Sequence, residues 1–273
     1  MTLEEIQILV NPQLEAVEKM IHSTLQEVEN TEAKKWMGYF CNKTGHRLRP
    51  MLTVIAYKCF KQPSTLEEER ELIKLATVLE LLHTASLIHD DVIDLEEDRR
   101  GQVALQNLVG NKNAILVGNI FYLKAFEIAS TLPNLSYFRE MLQTSMAMCF
   151  GEVTQGMRIH SGMAHSREEY LEVVQNKTGK LISACLFLGS KLAQVQDEVC
   201  ETLKKIGLIL GTLYQMRDDI KDGDANISAE LDLVEVYHTI VSEYHVLLST
   251  LDRENRFVKM LEAFFTIITK NIK

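Results

Sequence analysis

The sequence predicts an all-α helical bundle, and three observations carry that expectation. Only 4 prolines occur, at Pro12, Pro50, Pro63 and Pro133, so everything from Asn134 onward is free of the main helix breaker. Apolar residues recur at three- and four-residue spacing, as in Leu14, Val17, Met20, Ile21, Leu25 and Val28. Long periodic stretches are joined by short breaks, which suits a bundle with a cavity between its central helices. No linker divides the 273 residues, so residues 1–273 are expected to form a single domain.

The elements follow in order. The first amphipathic stripe defines a helix from Pro12 to Val28. Thr44 and Gly45 then break the pattern, and Pro50 sits where the first turn of a new helix tolerates it. A second break at Pro63 to Thr65 precedes acid at Glu67 to Glu71, which the helix dipole favours in a first turn, and that helix runs into Asp90. A short polar region follows Arg100-Gly101, then an apolar helix from Ala114 to Ala129 closed by Leu132-Pro133-Asn134. Similar reasoning predicts helices around Phe138 to Gly156, Arg167 to Ala193, Asp197 to Asp222 and Ala229 to Leu251.

Composition narrows the function. A net charge of −9 argues against nucleic acid, whose backbone calls for a basic surface. The apolar run Leu72 to Ile88 contains Lys74, Glu80 and His83, too polar for a transmembrane segment. Glu4 and Glu5 interrupt any signal pattern at the start, so a cytoplasmic protein is expected. The 5 cysteines are widely spaced and odd in number, and read as reduced packing residues.

Two copies of one acidic pattern stand out: Asp90-Asp91-Val92-Ile93-Asp94 and Asp218-Asp219-Ile220-Lys221-Asp222. On a helix, residues i and i+4 share a face, so Asp90 pairs with Asp94 and Asp218 with Asp222. Such concentrated negative charge calls for a cation, and hard oxygen ligands with room for water and phosphate suit Mg²⁺. Arg99 and Arg100 follow the first pattern, and His46, Arg47 and Arg49 precede it. A lone arginine pair is usually a solvated surface feature, but two basic clusters beside two acidic faces point to a diphosphate.

Six stretches in order, Gly45-His46-Arg47-Leu48-Arg49-Pro50, Glu80 to Asp91, Arg99-Arg100-Gly101, Gly151-Glu152-Val153-Thr154-Gln155, Lys177-Thr178 and Asp218 to Asp222, resemble the motifs of the trans-prenyl diphosphate synthases. The resemblance implies a helical bundle of the isoprenoid synthase type that joins isopentenyl diphosphate to an allylic diphosphate. It implies Mg²⁺, three ions with bound diphosphate, ligated by Asp90, Asp94 and Asp218 with Asp91, Asp219 and Asp222 as further ligands or supports. It gives Arg99, Lys177, Thr178 and Gln215 to the allylic diphosphate, and His46, Arg49, His83 and Arg100 to isopentenyl diphosphate. Asp90, Asp94, Asp218, Lys177 and Arg99 would carry the catalysis, by stabilising the departing diphosphate. A homodimer is implied, with a heteromer as the alternative.

The sequence departs from that family at three places. His46 stands where the family usually has lysine, exchanging a permanent charge for a titratable one, so weaker isopentenyl diphosphate binding is expected. Asn119 follows Gly118 where aspartate is common. No lysine occurs between Lys221 and Lys259, and Gly223-Asp224-Ala225-Asn226 reads as a shortened turn, which suggests incomplete closure or dependence on a partner subunit.

Product length should depend on the wall below Asp90. Ala85 and Ser86 are small and lie about one turn, ~5.4 Å, away, so with Leu82 as a deeper position they predict a product longer than fifteen carbons. Phe121, Tyr122, Met148 and Phe150 are the other candidates for the floor.

Three competing readings remain. Glu80-Leu81-Leu82-His83 and Glu235-Val236-Tyr237-His238 share the Glu-x-x-His spacing of a di-iron bundle, but that leaves both aspartate patterns unexplained. A class I terpene cyclase needs no second diphosphate site, for which Arg49, His83 and Arg100 argue. A non-catalytic or partner-dependent subunit of a heteromeric prenyl synthase is the third.

Overall fold

The computed structural model describes residues 3–43, 45–161, 166–222, 232–251 and 255–269. Gly223-Asp224-Ala225-Asn226 and Thr44 lie outside them. The described residues form α1 (Leu3–Gln26), α2 (Thr31–Cys41), α3 (Leu48–Lys58), α4 (Leu66–Ile93), a hairpin of β1 (Asp98–Arg99) and β2 (Gln102–Val103), α5 (Leu105–Val109), α6 (Asn111–Ala129), α7 (Leu135–Ser161), α8 (Arg167–Val174), a π-helical segment (Gln175–Gly179), α9 (Lys180–Leu192), α10 (Asp197–Asp222), α11 (Leu233–Ser249) and α12 (Arg256–Thr269). The all-α expectation therefore stands, the hairpin apart. The chain packs as two compact units, residues 10–54 with 63–138, and residues 1–9, 55–62 and 139–273.

The first of these units carries the first aspartate pattern, and its centre is α4 packed on α6. Thr65 caps α4 by accepting from the Glu68 amide, with Glu67, Glu68 and Glu69 in the first turn, as the dipole favours. Leu72, Leu75, Ala76, Leu79, Leu82 and Ala85 are all buried, and α6 answers with Ala114, Val117, Phe121 and Ala125. By length and composition α4 is apolar enough to cross a membrane, but 72 % of its apolar window is buried inside the fold, as in a core helix.

The second unit carries the other pattern on α10, which packs on α9 and on the π segment. A Cβ on Gly207 would lie 2.7 Å from Ser183 Cα, and one on Gly211 would lie 2.7 Å from Gly179 Cα. These glycines let the helices meet backbone to backbone. Asp232 caps α11 by accepting from the Val234 and Glu235 amides.

Several boundaries differ from expectation. α1 begins at Leu3 with Pro12 inside it, because the stripe Ile6, Val10, Val17, Ile21 and Leu25 is buried along its whole length, and that burial outweighs a proline cost of about 3 kcal/mol. α2 and α12 were not anticipated; α2 is announced only by its cap, Asn30, which accepts from the Ala33 amide at 2.9 Å. The expected helix from Arg167 to Ala193 is present but contains the π segment.

Gly211→Ala should destabilise the protein by about 1–3 kcal/mol, since the added methyl meets backbone that cannot step aside. Thermal unfolding reads this directly: a midpoint equal to the parent's would show that the close approach is not required.

Candidate active site

In the first unit, α4 ends at the acidic pattern in a way that separates its carboxylates. Asp94 caps the helix and its amide donates to Asp90 O at 2.8 Å, so the two stand one turn apart. Leu95 takes a left-handed φ of 55°, where glycine is usual, and the Glu96 amide returns to Asp91 O at 3.0 Å. Gln106 Nε2 holds that same carbonyl at 2.8 Å. Asp94 is exposed and Asp90 half-buried. Asp91 is fully buried, and its Oδ1 is paired with the Arg99 guanidinium.

The hairpin places the arginines. Arg100 and Gly101 form its two-residue turn with φ of 54° and 74°, the left-handed geometry such a turn needs. Arg99 points back to Asp91. Burial opposes its charge, but the hydrogen bond and charge of Asp91, with Glu96 and Asp90, hold its pKa above the ordinary range. Arg100 donates to Lys43 O at 3.1 Å, and its Nη2 lies 2.6 Å from where a Gly45 Cβ would be. Although the residue is exposed, partial burial of its guanidinium, then the like charges of Arg47 and Arg99, hold its pKa down against Glu80 and Asp91.

Arg47 differs from its neighbours. It pairs with Glu18 and, at 2.5 Å, with buried Glu80, so it braces α4. Glu80 is likewise engaged, which removes it as an iron ligand. His83, one turn below, is half-buried. Burial and the fields of Arg49, Arg100, Arg99 and Arg47 push its pKa well below the usual 6.5 and keep the ring neutral. A neutral histidine among arginines marks a strongly electropositive place with a hydrogen-bonding group at its centre. His46 is exposed.

In the second unit, the carboxylates also divide. Asp218 Oδ1 accepts from Arg217 Nε at 2.9 Å and Nη2 at 2.7 Å. Asp219 accepts from Gln215 Nε2 at 2.9 Å on one oxygen and from the Tyr170 hydroxyl at 2.6 Å on the other. Thr178 Oγ1 in turn donates to Gln215 Oε1 at 2.9 Å. Asp222 closes α10.

The π segment carries Lys177 and Thr178, and widened turns of this kind favour functional positions. Lys177 Nζ sits 2.5 Å from Glu152 Oε1 and 2.5 Å from Gln155 Oε1. Glu152 and Gln155 lie one turn apart on α7, and Gly151 admits the lysine stem, because a Cβ there would lie 2.8 Å from Lys177 Cγ. The motif Gly151 to Gln155 was legible in the sequence without a task. Its task here is to hold Lys177. Tyr170 gave no sequence signal, since its partner Asp219 is 49 residues away.

The expected product-length residues are divided by burial. Leu82, Ala85 and Phe121 are fully buried, Tyr122 and Ser86 half-buried, and Ser86 Oγ donates to His83 O at 2.9 Å. Met148 is buried, but Phe150 is 58 % exposed: two residues on, a helix has turned by about 200°, which puts it on the opposite face. Asn119 is exposed, and buried Gly118 makes room for His89, whose Nε2 would be 2.4 Å from a Cβ.

Among the described residues, no three His, Cys, Asp or Glu side chains converge as a finished metal cage. The two aspartate patterns offer hard carboxylate oxygens. That suits Mg²⁺, which retains water and takes substrate phosphate oxygens.

With the geometry in place, comparison with known proteins identifies the group. The family model described as polyprenyl synthetase matches residues 30–230. The chain belongs to the polyprenyl synthetase family. An octaprenyl diphosphate synthase of Haemophilus influenzae is 31 % identical over 84 % of this chain and 68 % of its own length. A short chain isoprenyl diphosphate synthase of Methanocaldococcus jannaschii is 33 % identical over 65 % of this chain and 54 % of its own, so the matched part spans about half of that relative. The crystal structure of a polyprenyl synthase from Caulobacter crescentus, complexed with calcium and isoprenyl diphosphate, shares the fold with a TM-score of 0.85 at 22 % identity, over 98 % of this chain and 97 % of that one.

The depressed pKa of His83 has a measurable consequence. Below the unfolded value near 6.5, the unfolded chain takes a proton that the native ring refuses. Its contribution to stability is therefore whole above that pH and lost as the pH falls through it. Urea unfolding should show the parent losing more stability than His83→Gln between about pH 7 and about pH 5; equal losses would mean the arginines leave the ring's protonation alone.

Proposed function

We propose that the polyprenyl synthetase fold here serves a prenyltransferase that joins isopentenyl diphosphate to an allylic diphosphate, giving an all-trans polyprenyl diphosphate of about twenty carbons or longer. The arginine field around neutral His83 carries this reading, because a reaction of two diphosphates needs an anion site independent of the aspartates. The named chemistry of the octaprenyl and short chain relatives supports it.

In this reading Arg49, Arg100, His83 and His46 hold isopentenyl diphosphate. Lys177 meets the allylic diphosphate with the one ammonium hydrogen that Glu152 and Gln155 leave, and Gln215 with its second amide hydrogen. Arg99, braced by Asp91, adds a fixed charge beside the first aspartates, and Thr178 orients Gln215. Asp90, Asp94 and Asp218 would hold Mg²⁺, three ions in all with bound diphosphate, which when bound would supply positive charge favouring departure of the leaving group. Asp91, Asp219 and Asp222 support those ligands or their waters. The allylic carbon is then attacked by the isopentenyl double bond, with proton loss to the diphosphate.

The reading includes residues 1–273 acting as one cytoplasmic isoprenoid-synthase-like domain that forms a homodimer. α7 exposes Met146, Phe150, Val153 and Met157 at four-, three- and four-residue spacing, an apolar stripe suited to a second copy.

Supplying the purified chain with Mg²⁺, farnesyl diphosphate and labelled isopentenyl diphosphate should yield an elongated labelled diphosphate. A cyclic hydrocarbon would instead indicate a cyclase, and no product a non-catalytic or partner-dependent subunit. In the same assay Ala85→Phe should shorten the product, read by chromatography; an unchanged chain length would remove Ala85 from the tunnel wall.

A further inference from the structure

Asp219 is the terminus of a hydrogen-bond network whose direction is fixed by chemistry. A carboxylate only accepts, so the Gln215 atom 2.9 Å from Asp219 Oδ1 must be the amide nitrogen. The amide oxygen is thereby turned to Thr178. That oxygen also only accepts, so the Thr178 hydroxyl, 2.9 Å away, must give it its single proton. The network therefore depends on Asp219 staying in place, and the Tyr170 hydroxyl donates to its other oxygen at 2.6 Å and helps to hold it. Tyr170 is buried on α8, Thr178 is in the π segment, and Gln215 and Asp219 are one turn apart on α10, so the network also ties these elements together.

We infer that Tyr170 is a positioning residue: through Asp219 it fixes the orientation of the Gln215 amide and the direction of the Thr178 hydroxyl. The inference rests on the prenyltransferase reading for its kinetic consequences. Without the tyrosine hydroxyl, one oxygen of Asp219 loses its 2.6 Å donor, the carboxylate holds the Gln215 amide less firmly, and the amide directs the Thr178 hydroxyl less firmly. These groups are assigned to the allylic substrate, so the effect should fall on that half of the reaction.

The test is a cycle of Tyr170→Phe, Gln215→Ala and the double variant. Tyr170→Phe should lower kcat by about tenfold, the usual effect of removing an orienting partner, with the KM for isopentenyl diphosphate within about twofold of the parent. Because Tyr170 acts through Gln215, the double variant should be no slower than Gln215→Ala alone. Losses that multiply, a Tyr170→Phe enzyme as fast as the parent, or equal effects on both substrates would each overturn the inference. Should the parent make no elongated product, the prenyltransferase reading fails, and the same cycle is read by calorimetry of inorganic diphosphate binding with Mg²⁺. Tyr170→Phe should then weaken binding severalfold with no further loss in the double variant, and independent losses would again overturn it. The unfolding midpoint of Tyr170→Phe should match the parent's within a few degrees, so that its loss is read on folded protein; a loss that tracks unfolding would overturn the inference.

Discussion

Backbone contact between α10 and the segment beside it is the constraint on which the second aspartate site depends. With Gly211 facing Gly179 Cα and Gly207 facing Ser183 Cα, no side chain separates the two elements. Hydrogen bonds weaken within a few tenths of an ångström of their best length. A Cβ at either place would push the helices further apart than that, and Thr178 would no longer reach Gln215. The small residues thus control a polar network they do not join, and the burial around them, from Leu181 to Leu188 and at Leu203, Ile206, Leu210 and Leu213, keeps the contact closed.

A second regularity links the two acidic patterns. In each, the middle aspartate is engaged by the protein: Asp91 by Arg99, and Asp219 by Tyr170 and Gln215. Helix geometry makes this division necessary, because consecutive residues point about 100° apart whereas residues four apart share a face. One carboxylate of an adjacent pair must turn inward, and a buried charge persists only when a cation or several donors satisfy it. The inward aspartates brace the chain.

Much of this was legible beforehand. Asp197 to Asp222 was expected as a helix and is one, and the start of α4 followed from Thr65 and the acids after it. Local signals suffice where capping and periodicity agree. Pro12 misled for the opposite reason: a local breaker was overruled by burial on both sides of it. The π segment was invisible because a widened turn has no composition of its own. At the site, residue types that act within one helix turn were readable, but Tyr170, Glu152 and Gln155 act on side chains from other helices, and a single sequence does not contain that pairing.

The widened turn at Gln175–Gly179 has a further meaning for this chain. Such a turn is a surplus residue absorbed by an otherwise continuous rod running from Arg167 to Leu192. Were all of its residues kept and the ladder closed into an ordinary spiral, the downstream half would rotate by about 100° relative to the upstream half. Tyr170 and the face of α9 that meets α10 would then no longer look toward the same neighbour. Insertions and deletions in this rod are therefore constrained in phase as well as in number, which sets what length variation the lineage can tolerate here.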